Sequence, residues 1–295
     1  MIISKHEVLK QVYYPLKFIK NITEFIGISS KDSLRVLNFH DIAAYDYVKF
    51  EKQLRWLSNS WNFVNPERFS AMVSGYEKIN GRNLLITFDD GFLSNRIVAE
   101  KVLNPLGIKA IFFCISDFID IHDNEEAKTF IKDRICLGWS VEKLPIHWKN
   151  MNWDDLSALV EQGHTIGAHT KSHARLSTIL NTEELKSEIV YSADLIEKKL
   201  GISIDHFAYT FGDIDSISKE AIDIAKTRFK YIYSGLRGRN KGRNYGIFRD
   251  AAADQDNNMN YYLYSNSLLG SFLEGALDIY YASKRKKLES WYLNK

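Results

Sequence analysis

The sequence predicts an α/β fold in which seven parallel strands alternate with helices and curl into a barrel. Seven short apolar runs are separated by stretches with helical periodicity, which is typical of a parallel sheet with helical connections. Polar side chains gather just past the ends of several runs. Because the carboxyl ends of barrel strands meet on one face, this clustering favours a closed barrel over an open sheet. The clustered residues are His40, Asp89, Asp90, His169, Arg249 and Asp250.

The first 33 residues predict a helical extension that precedes the barrel. Residues 5–27 carry apolar side chains near helical spacing, and Pro15 is expected to interrupt the helix. The first strand is predicted at residues 34–39. Helical patterns follow at residues 47–60 and after Pro66, since proline suits the first turn of a helix.

The middle of the chain predicts three more strands. They are the apolar runs at residues 84–87, 109–115 and 165–168. A helix that is interrupted near Pro105 separates the first two, and a helix at residues 152–162 precedes the third. The polar residues 117–150 predict an inserted loop with a short helix, which forms a lid or a substrate wall.

The last three strands are predicted at residues 206–211, 231–233 and 245–248. A striped helix over residues 182–200 precedes them, with Thr182 as its N-cap and Gly201 after its end. A second helix is predicted at residues 218–228. A basic loop over residues 237–243 leads into the last strand, so the barrel is expected to span residues 34–255.

Residues 256–295 predict an amphipathic helical tail. Its apolar stripe is followed by the basic run at residues 284–287. Two interpretations remain open: the stripe packs on the barrel, or it contacts a membrane surface. The stripe consists of Leu269, Phe272, Leu273, Ala276, Leu277 and Tyr280.

Two adjacent carboxylates end the strand at residues 84–87. Asp89 and Asp90 follow it directly, and Gly91 comes next. Adjacent carboxylates repel each other, so a cation held by one of them, with the other free as a base, accounts for the pair. An ordinary Asp-Asp-Gly turn is the competing interpretation.

A second stretch carries two histidines four residues apart, His169 and His173. On a helical turn this spacing places both imidazoles on one face. Two histidines and one aspartate form a three-ligand set that leaves positions open for water and substrate, as in catalytic metal sites. Surface or capping histidines are the alternative.

Together the two stretches resemble the motifs of the polysaccharide deacetylases, the NodB-homology group of carbohydrate esterase family 4. The family is marked by T-F-D-D-G and, further on, by H-[ST]-x-x-H. Here the two motifs are complete, as Thr87-Phe88-Asp89-Asp90-Gly91 and His169-Thr170-Lys171-Ser172-His173. The resemblance covers roughly residues 34 to 250 and implies a distorted (β/α)7 barrel, here with N- and C-terminal helical extensions.

The resemblance also implies roles for individual residues. Asp90, His169 and His173 would bind a divalent metal, most readily Zn2+ with Co2+ or Ni2+ as alternatives, and Asp89 would be the catalytic base. The family's oxyanion stretch matches residues 207–212, so Phe211 would donate its N–H to the oxyanion, with Tyr209 and Thr210 beside it. The hydroxyl of Thr170 is expected to brace the histidine turn.

The sequence departs from the family pattern at three points. Ala208 stands where the R-x-P-Y form of the oxyanion stretch has arginine, although the F-A-Y-P form shares this alanine. Thr210 stands where the family has proline, and no histidine follows His206, so the late histidine that acts as general acid in many members is absent. His40, at the end of the first strand, is the candidate acid, with a supporting or substrate-contacting role as the alternative. Arg249 is the candidate residue that orients Asp89.

The expected function is hydrolysis of an N-acetyl group on a sugar, in a lipid- or nucleotide-linked precursor of a surface polysaccharide. A non-catalytic module that binds a glycan or a partner, or a hydrolase of another C–N bond, is the competing hypothesis. The net charge of +2 argues against a nucleic-acid partner. Two cysteines, no secretory signal and no long apolar segment predict a cytoplasmic protein, with peripheral contact at the inner membrane face through the tail.

Overall fold

Parallel strands form the centre of the molecule. The structure is a computed structural model that describes residues 5–27, 30–242, 246–255 and 261–293. The strands of the central sheet are, in chain order, β1 (Ser33–Phe39), β2 (Asn62–Phe63), β3 (Arg82–Phe88), β4 (Ala110–Cys114), β5 (Thr165–Ala168), β6 (His206–Ala208), β7 (Tyr231–Tyr233), β8 (Gly246–Ile247) and β9 (Asp250–Ala251).

The sheet curls into the predicted distorted barrel. Its strand order is β8-β7-β6-β5-β4-β3-β1-β9, every neighbouring pair is parallel, and β2 pairs with β3 at the side. Only Phe248 and Arg249 separate β8 from β9. The strand predicted at residues 245–248, of which residue 245 lies outside the described residues, is therefore the first half of a kinked segment. This segment pairs with β7 through β8 and with β1 through β9.

Helices cover the outside of this barrel. They are α1 (Lys5–Phe25), α2 (Tyr47–Ser58), α3 (Pro66–Ser74), α4 (Leu93–Val98), α5 (Ser116–Ile119), α6 (Asn124–Phe130), α7 (Trp153–Glu161), α8 (Thr182–Lys186), α9 (Ser192–Leu200), α10 (Lys219–Arg228), α11 (Asn266–Leu273) and α12 (Asp278–Leu293). Two further strands, β10 (Ala253–Gln255) and β11 (Tyr261–Leu263), form a separate antiparallel pair.

Buried apolar side chains lie on both faces of the strands. One cluster contains Leu34, Val36, Leu85, Ile111 and Phe113, and these alternate along the chain with members of a second, larger cluster. Because side chains alternate between the two faces of a strand, the first cluster fills the barrel and the second lies between strands and helices. By the same alternation, the side chains of residues 38, 87 and 89 lie on the face of the strands that points into the barrel.

The predicted interruption of the first helix is wrong. α1 runs unbroken from Lys5 to Phe25 with Pro15 inside it. Proline removes the hydrogen bond to the carbonyl four residues earlier, at Gln11, and both residues lie on the exposed side of the helix. Solvent can hydrate that carbonyl, so the helix continues.

The helix predicted over residues 182–200 is present but is not regular. α8 and α9 are joined by a wider π-helical turn at Ser187–Tyr191. The N-cap is Asn181, whose side chain accepts hydrogen bonds from the N–H groups of residues 183 and 184, so the assignment to Thr182 is wrong. Thr182 instead donates its hydroxyl to Glu220 on α10.

The C-terminal stripe packs on the barrel except for Tyr280, which is 69% exposed, so the hypothesis that the stripe inserts into a membrane is wrong. Leu269, Phe272 and Leu273 on α11 are fully buried in the larger apolar cluster, and Leu277 is partly buried against it. The basic run belongs to α12, where Lys284 binds Asp213. Among the described residues, none of the helices combines the length and the hydropathy that crossing a bilayer requires.

Candidate active site

The two carboxylates lie where β3 ends and the chain turns sharply. The Asp89 N–H donates to the carbonyl of Phe39, which continues the β1–β3 pairing by one residue. Asp90 then adopts a left-handed conformation with φ of 75°, and Gly91 follows with φ of 99°. The turn leaves both carboxylates buried at the carboxyl end of the barrel.

The histidine motif is a loop, and the predicted helical turn is wrong. His169 directly follows β5, and its N–H donates to the carbonyl of Cys114 over 2.9 Å. Thr170 and His173 have φ angles of 62° and 60°, which a right-handed helix does not contain. The loop nevertheless brings the two imidazoles together, with ring centroids 5.5 Å apart.

Hydrogen bonds to carbonyls fix the orientation of both imidazoles. His169 Nδ1 lies 2.6 Å from the carbonyl oxygen of Ala208, and His173 Nδ1 lies 2.7 Å from that of Arg134. A carbonyl only accepts, so each Nδ1 carries the proton and each Nε2 has a free lone pair in the neutral ring. The two Nε2 atoms lie 3.5 and 3.6 Å from Oδ1 of Asp90.

This donor set fits a divalent metal. The ligand atoms of Asp90, His169 and His173 all lie within 4.8 Å of one another. Asp90 Oδ1 is buried and has no hydrogen-bond partner among the described residues, although a buried carboxylate oxygen normally has one. Histidines that donate through Nδ1 to a carbonyl are typical of metal ligands.

The charges around the donor set also favour a cation. Burial alone would raise the pKa of Asp90, but the neighbouring imidazoles hold it well below its usual range. Burial would lower the pKa of His169, but Asp89 and Asp90 outweigh burial and raise it. Burial dominates at His173 and lowers its pKa to about 4, which keeps this ring neutral and its lone pair free.

Asp89 is held by a buried guanidinium. Arg249 donates from both terminal nitrogens to the two carboxylate oxygens, over 2.6 and 2.9 Å, and Asn38 donates to Oδ2 over 3.0 Å. Burial would raise the pKa of Asp89, but Arg249 and then His169 lower it, so the carboxylate stays ionised. The structure thus brings Arg249 to the residue with which the sequence interpretation paired it.

A pocket of about 260 Å³ opens over these groups. All predicted site residues except Thr210 line it. His40 lies in the pocket wall with its ring stacked on Tyr261, the centroids 5.0 Å apart and the planes 4° apart. Of the six polar residues predicted to gather at the strand ends, Asp250 does not line the pocket, and it pairs with Arg35 instead. The lining residues are Asn38, His40, Asp89, Asp90, Ile135, His169, His173, Tyr209, Phe211, Gly212, Gly235, Arg249, Ala251 and Tyr261.

The segment after β6 supplies a backbone donor to the pocket. Phe211 has φ of 61°, and its N–H has no partner among the residues that the structure describes. Tyr209 is buried before it, and Thr210 donates its hydroxyl to the carbonyl of Ala174, next to His173. Where the family has proline, threonine therefore ties this segment to the histidine loop.

Several residues of the site were missed from sequence. Asn38 could have been found, because it is a polar residue on the inward face of β1, where the preceding inward residues Leu34 and Val36 are apolar. Glu188 gave no such signal, yet its carboxylate accepts from the N–H groups of Lys171 and Ser172 and from the Ser172 hydroxyl, over 2.7 to 3.1 Å. Glu188 thus braces the histidine loop, and the Thr170 hydroxyl, expected to do so, has no partner among the described residues.

The inserted residues 117–150 form a wall of the site. They are not a loose loop, because their apolar side chains build a small core of their own around Phe118, Ile131 and Trp148. Ile135 lines the pocket, and the Arg134 carbonyl holds His173. The segment therefore forms part of the pocket wall, and its role as a lid or a substrate wall stays a prediction.

Comparison with known proteins places these features in one family. The family model described as polysaccharide deacetylase matches residues 77–229, which include both motifs. The chain is 24% identical over 185 residues to YxkH of Bacillus subtilis (strain 168), a protein assigned to the polysaccharide deacetylases, covering 61% of this chain and 57% of that protein. It is also 24% identical over 180 residues to the peptidoglycan-N-acetylglucosamine deacetylase of Bacillus cereus, covering 58% and 51% of the two chains.

The fold is similar to that of solved structures. IcaB from Ammonifex degensii superposes with a TM-score of 0.62 at 20% identity, covering 83% of this chain and 98% of that one. At this identity the likeness shows the barrel fold alone. The chain spans a little over half the length of the two curated relatives that it matches.

Proposed function

The chain belongs to the polysaccharide deacetylase family, and we propose that it is a metal-dependent hydrolase that removes an N-acetyl group from a sugar. The observation that carries the proposal is the arrangement around Asp90. Two imidazole lone pairs and one orphaned carboxylate oxygen converge there, directly beside a second carboxylate that a guanidinium keeps ionised.

Asp90, His169 and His173 would hold the metal. Two nitrogen ligands and one oxygen ligand suit Zn2+, with Co2+ or Ni2+ as alternatives, and leave positions open for the reaction. When bound, the metal supplies a Lewis acid that polarises the acyl group and favours ionisation of water.

Asp89 is positioned to act as the base. Its carboxylate lies next to the donor set, with Oδ2 4.0 Å from His169 Nε2, and it can accept the proton of the attacking water. Arg249 and Asn38 both donate to it, which fixes its orientation and leaves little freedom to rotate into the metal position.

We assign the roles of oxyanion donor to Phe211 and of general acid to His40. The unpartnered N–H of Phe211 would donate to the oxyanion as the acyl carbon becomes tetrahedral. His40 would give a proton to the departing amine, so that water and amide yield acetate and a free amino sugar. Tyr209 and Tyr261 line the walls around these groups, and Thr210 holds the segment to the histidine loop.

The proposed substrate is a lipid- or nucleotide-linked N-acetylated precursor of a surface polysaccharide. The name of the Bacillus cereus relative supports an N-acetylated sugar. A pocket of about 260 Å³ that is walled by the insertion suits one sugar unit better than a long polymer. Both cysteines are free and buried, which is consistent with the proposed cytoplasmic location.

A non-catalytic module that binds a glycan or a partner is the second candidate. Two observations favour it: Thr210 replaces the family proline, and no histidine follows His206. A hydrolase of another C–N bond is the third, because the same groups would hydrolyse any accessible amide.

Metal analysis combined with acetate release tests the proposal. The purified protein should contain one divalent metal, and it should release acetate from at least one member of a panel of nucleotide-linked, lipid-linked and free N-acetylated sugars. The variant His169→Ala should lose the metal. Asp89→Asn should keep the metal and lose about 10²- to 10⁴-fold in turnover, because it lacks the base.

The outcomes separate the candidates. Metal binding without acetate release from any sugar favours the binding module, and release of another amine product favours the third candidate. Full metal occupancy in His169→Ala would contradict the ligand set. Unchanged turnover in Asp89→Asn would contradict the base.

A further inference from the structure

The outward face of α1 is more apolar than the face that packs on the protein. Large apolar side chains recur at helical spacing along the exposed side, while Lys20 and Glu24 on the inner side meet Glu274 or each other. We call the exposed residues the α1 ridge: Val8, Tyr14, Pro15, Phe18, Ile19, Ile22, Phe25 and Ile26.

The α1 ridge is large for a solvent-exposed surface. The helix has 21 residues and is therefore about 31 Å long. Tyr14, Phe18 and Phe25 expose 72, 65 and 88% of their surface. Aromatic side chains offer about 150–250 Å² each, so these three present roughly 350–550 Å², as much as the largest apolar patch of a typical monomer.

Basic side chains border one side of the α1 ridge. α2 lies beside α1, where the rings of Tyr13 and Trp56 are 5.9 Å apart and Lys17 Nζ lies 3.5 Å from the Ser60 hydroxyl. Three carboxylates there, those of Glu7, Asp46 and Glu51, pair with cations within this group. The five cations, which outnumber them, are Lys10, Lys17, Lys49, Lys52 and Arg55.

The excess of positive charge beside the α1 ridge decides between two possible partners for the ridge, a second copy of this chain and an anionic lipid surface. A two-fold pairing of this face with a second copy would bring the same net positive border to the interface twice, and the two borders would repel each other. A surface that carries anionic phosphates above an apolar layer matches both the ridge and its basic border.

We propose that α1 lies in the plane of an anionic lipid bilayer, with the α1 ridge inserted at the level of the headgroups. The cations of α1 and α2 then meet lipid phosphates. The proposal concerns binding alone, and vesicle binding can be measured without a substrate or a metal, so it stands or falls separately from the proposed catalytic function.

Vesicle co-sedimentation of the full chain tests this surface. We expect binding to vesicles of phosphatidylcholine with phosphatidylglycerol, weaker binding to phosphatidylcholine alone, and a decrease as salt is raised, since salt screens exposed charges. The double variant Phe18→Ser, Phe25→Ser should lower the partition coefficient at least tenfold, because it removes the apolar area of two phenyl rings that would otherwise enter the bilayer.

A matched variant controls for general loss of surface hydrophobicity. Tyr76 and Leu180 are each 92% exposed and lie outside α1, so Tyr76→Ser, Leu180→Ser should bind vesicles like the parent chain. All four positions are at least 65% exposed, and unchanged melting temperatures confirm that the variants fold.

Three results would overturn the proposal. They are absence of vesicle binding by the parent chain, undiminished binding by the α1 variant, and equal losses in the α1 and control variants. A dimer that sedimentation velocity detects in the parent chain and not in the α1 variant, without vesicle binding, would assign the ridge to a second copy.

Discussion

At the scale of single residues, the histidine loop depends on one acid that is not a ligand. Glu188 lies in the π-helical turn between α8 and α9 and is buried. Its two oxygens accept three hydrogen bonds from Lys171 and Ser172, which lie between His169 and His173. Groups that orient ligands in this way contribute to metal affinity although they do not touch the metal.

Removing the Glu188 carboxylate should weaken metal binding. In Glu188→Ala two backbone N–H groups lose their acceptor and the loop loosens, so metal affinity should fall by about 10- to 100-fold. Glu188→Gln retains an acceptor oxygen and should lose less. Competition with a chromogenic chelator measures both affinities.

Glu197 provides the control for this prediction. Its carboxylate, on α9, also accepts a backbone N–H, that of Ile204, but lies outside the histidine loop. Glu197→Ala should lower stability and leave metal affinity unchanged. Parent-like affinity in Glu188→Ala, or an equal loss in Glu197→Ala, would show that the brace has no role at the metal.

Features of the site that lie within one short motif could be predicted from sequence, and features that depend on distant contacts could not. The proposed ligands Asp90, His169 and His173 belong to two short motifs, so residue type and order were enough to predict that these three side chains form one group. The loop conformation was not predictable, because Thr170 and His173 adopt positive φ without being glycine. Glu188 contacts the loop from a separate helix, and in sequence it resembles any charged helical residue.

At the scale of elements, buried ion pairs join the two ends of the chain to the barrel. Arg35 on β1 binds Asp250 on β9 over 3.0 Å and Asp278 at the start of α12 over 2.6 Å. Glu274, between α11 and α12, binds Lys20 on α1 over 2.6 Å and also binds Arg82 on β3. The terminal helices were predicted from their periodicity, but these pairings were not, because they join residues more than 190 positions apart.

Breaking the Arg35 network should be costly. Arg35→Ala leaves the buried Asp250 with the more distant Arg237, whose Nη1 lies 3.7 Å from Oδ1, so the free energy of unfolding should fall by roughly 3 kcal/mol. Arg55 is the matched control, since it pairs with Glu51 at the surface, and Arg55→Ala should cost at most about 1 kcal/mol. Denaturant unfolding measures both. Similar losses in the two variants would mean that the buried network does not stabilise the fold.

At the scale of the whole molecule, two buried histidines couple folding to pH. His164 Nδ1 accepts the N–H of Ala110 over 3.2 Å, and His206 Nδ1 lies 2.9 Å from the Tyr233 hydroxyl. Burial lowers the pKa of each to about 4, from an ordinary value of 6.5. Below pH 6.5 the unfolded chain therefore takes up protons that the folded chain does not accept until about pH 4.

Stability should accordingly be full above pH 6.5 and fall as the pH drops towards 4. Each histidine can contribute up to about 3 kcal/mol to this loss, at 1.36 kcal/mol per pKa unit. The variant His206→Phe loses the bond to Tyr233 at every pH, but the slope of its unfolding free energy between pH 7.5 and 4.5 should be shallower. A slope equal to that of the parent chain would contradict the prediction.

The kinked segment Gly246–Ala251 also has a consequence for timing during synthesis. The residues for the proposed metal site lie between positions 90 and 173, so they leave the ribosome before the segment that closes the barrel. Arg249 sits within that segment and reaches Asp89 across 160 positions of sequence. Contacts so distant form late in folding. A nascent chain can thus contain all the proposed metal ligands before the barrel shuts, whereas Asp89 acquires the guanidinium that orients it only when this last segment pairs.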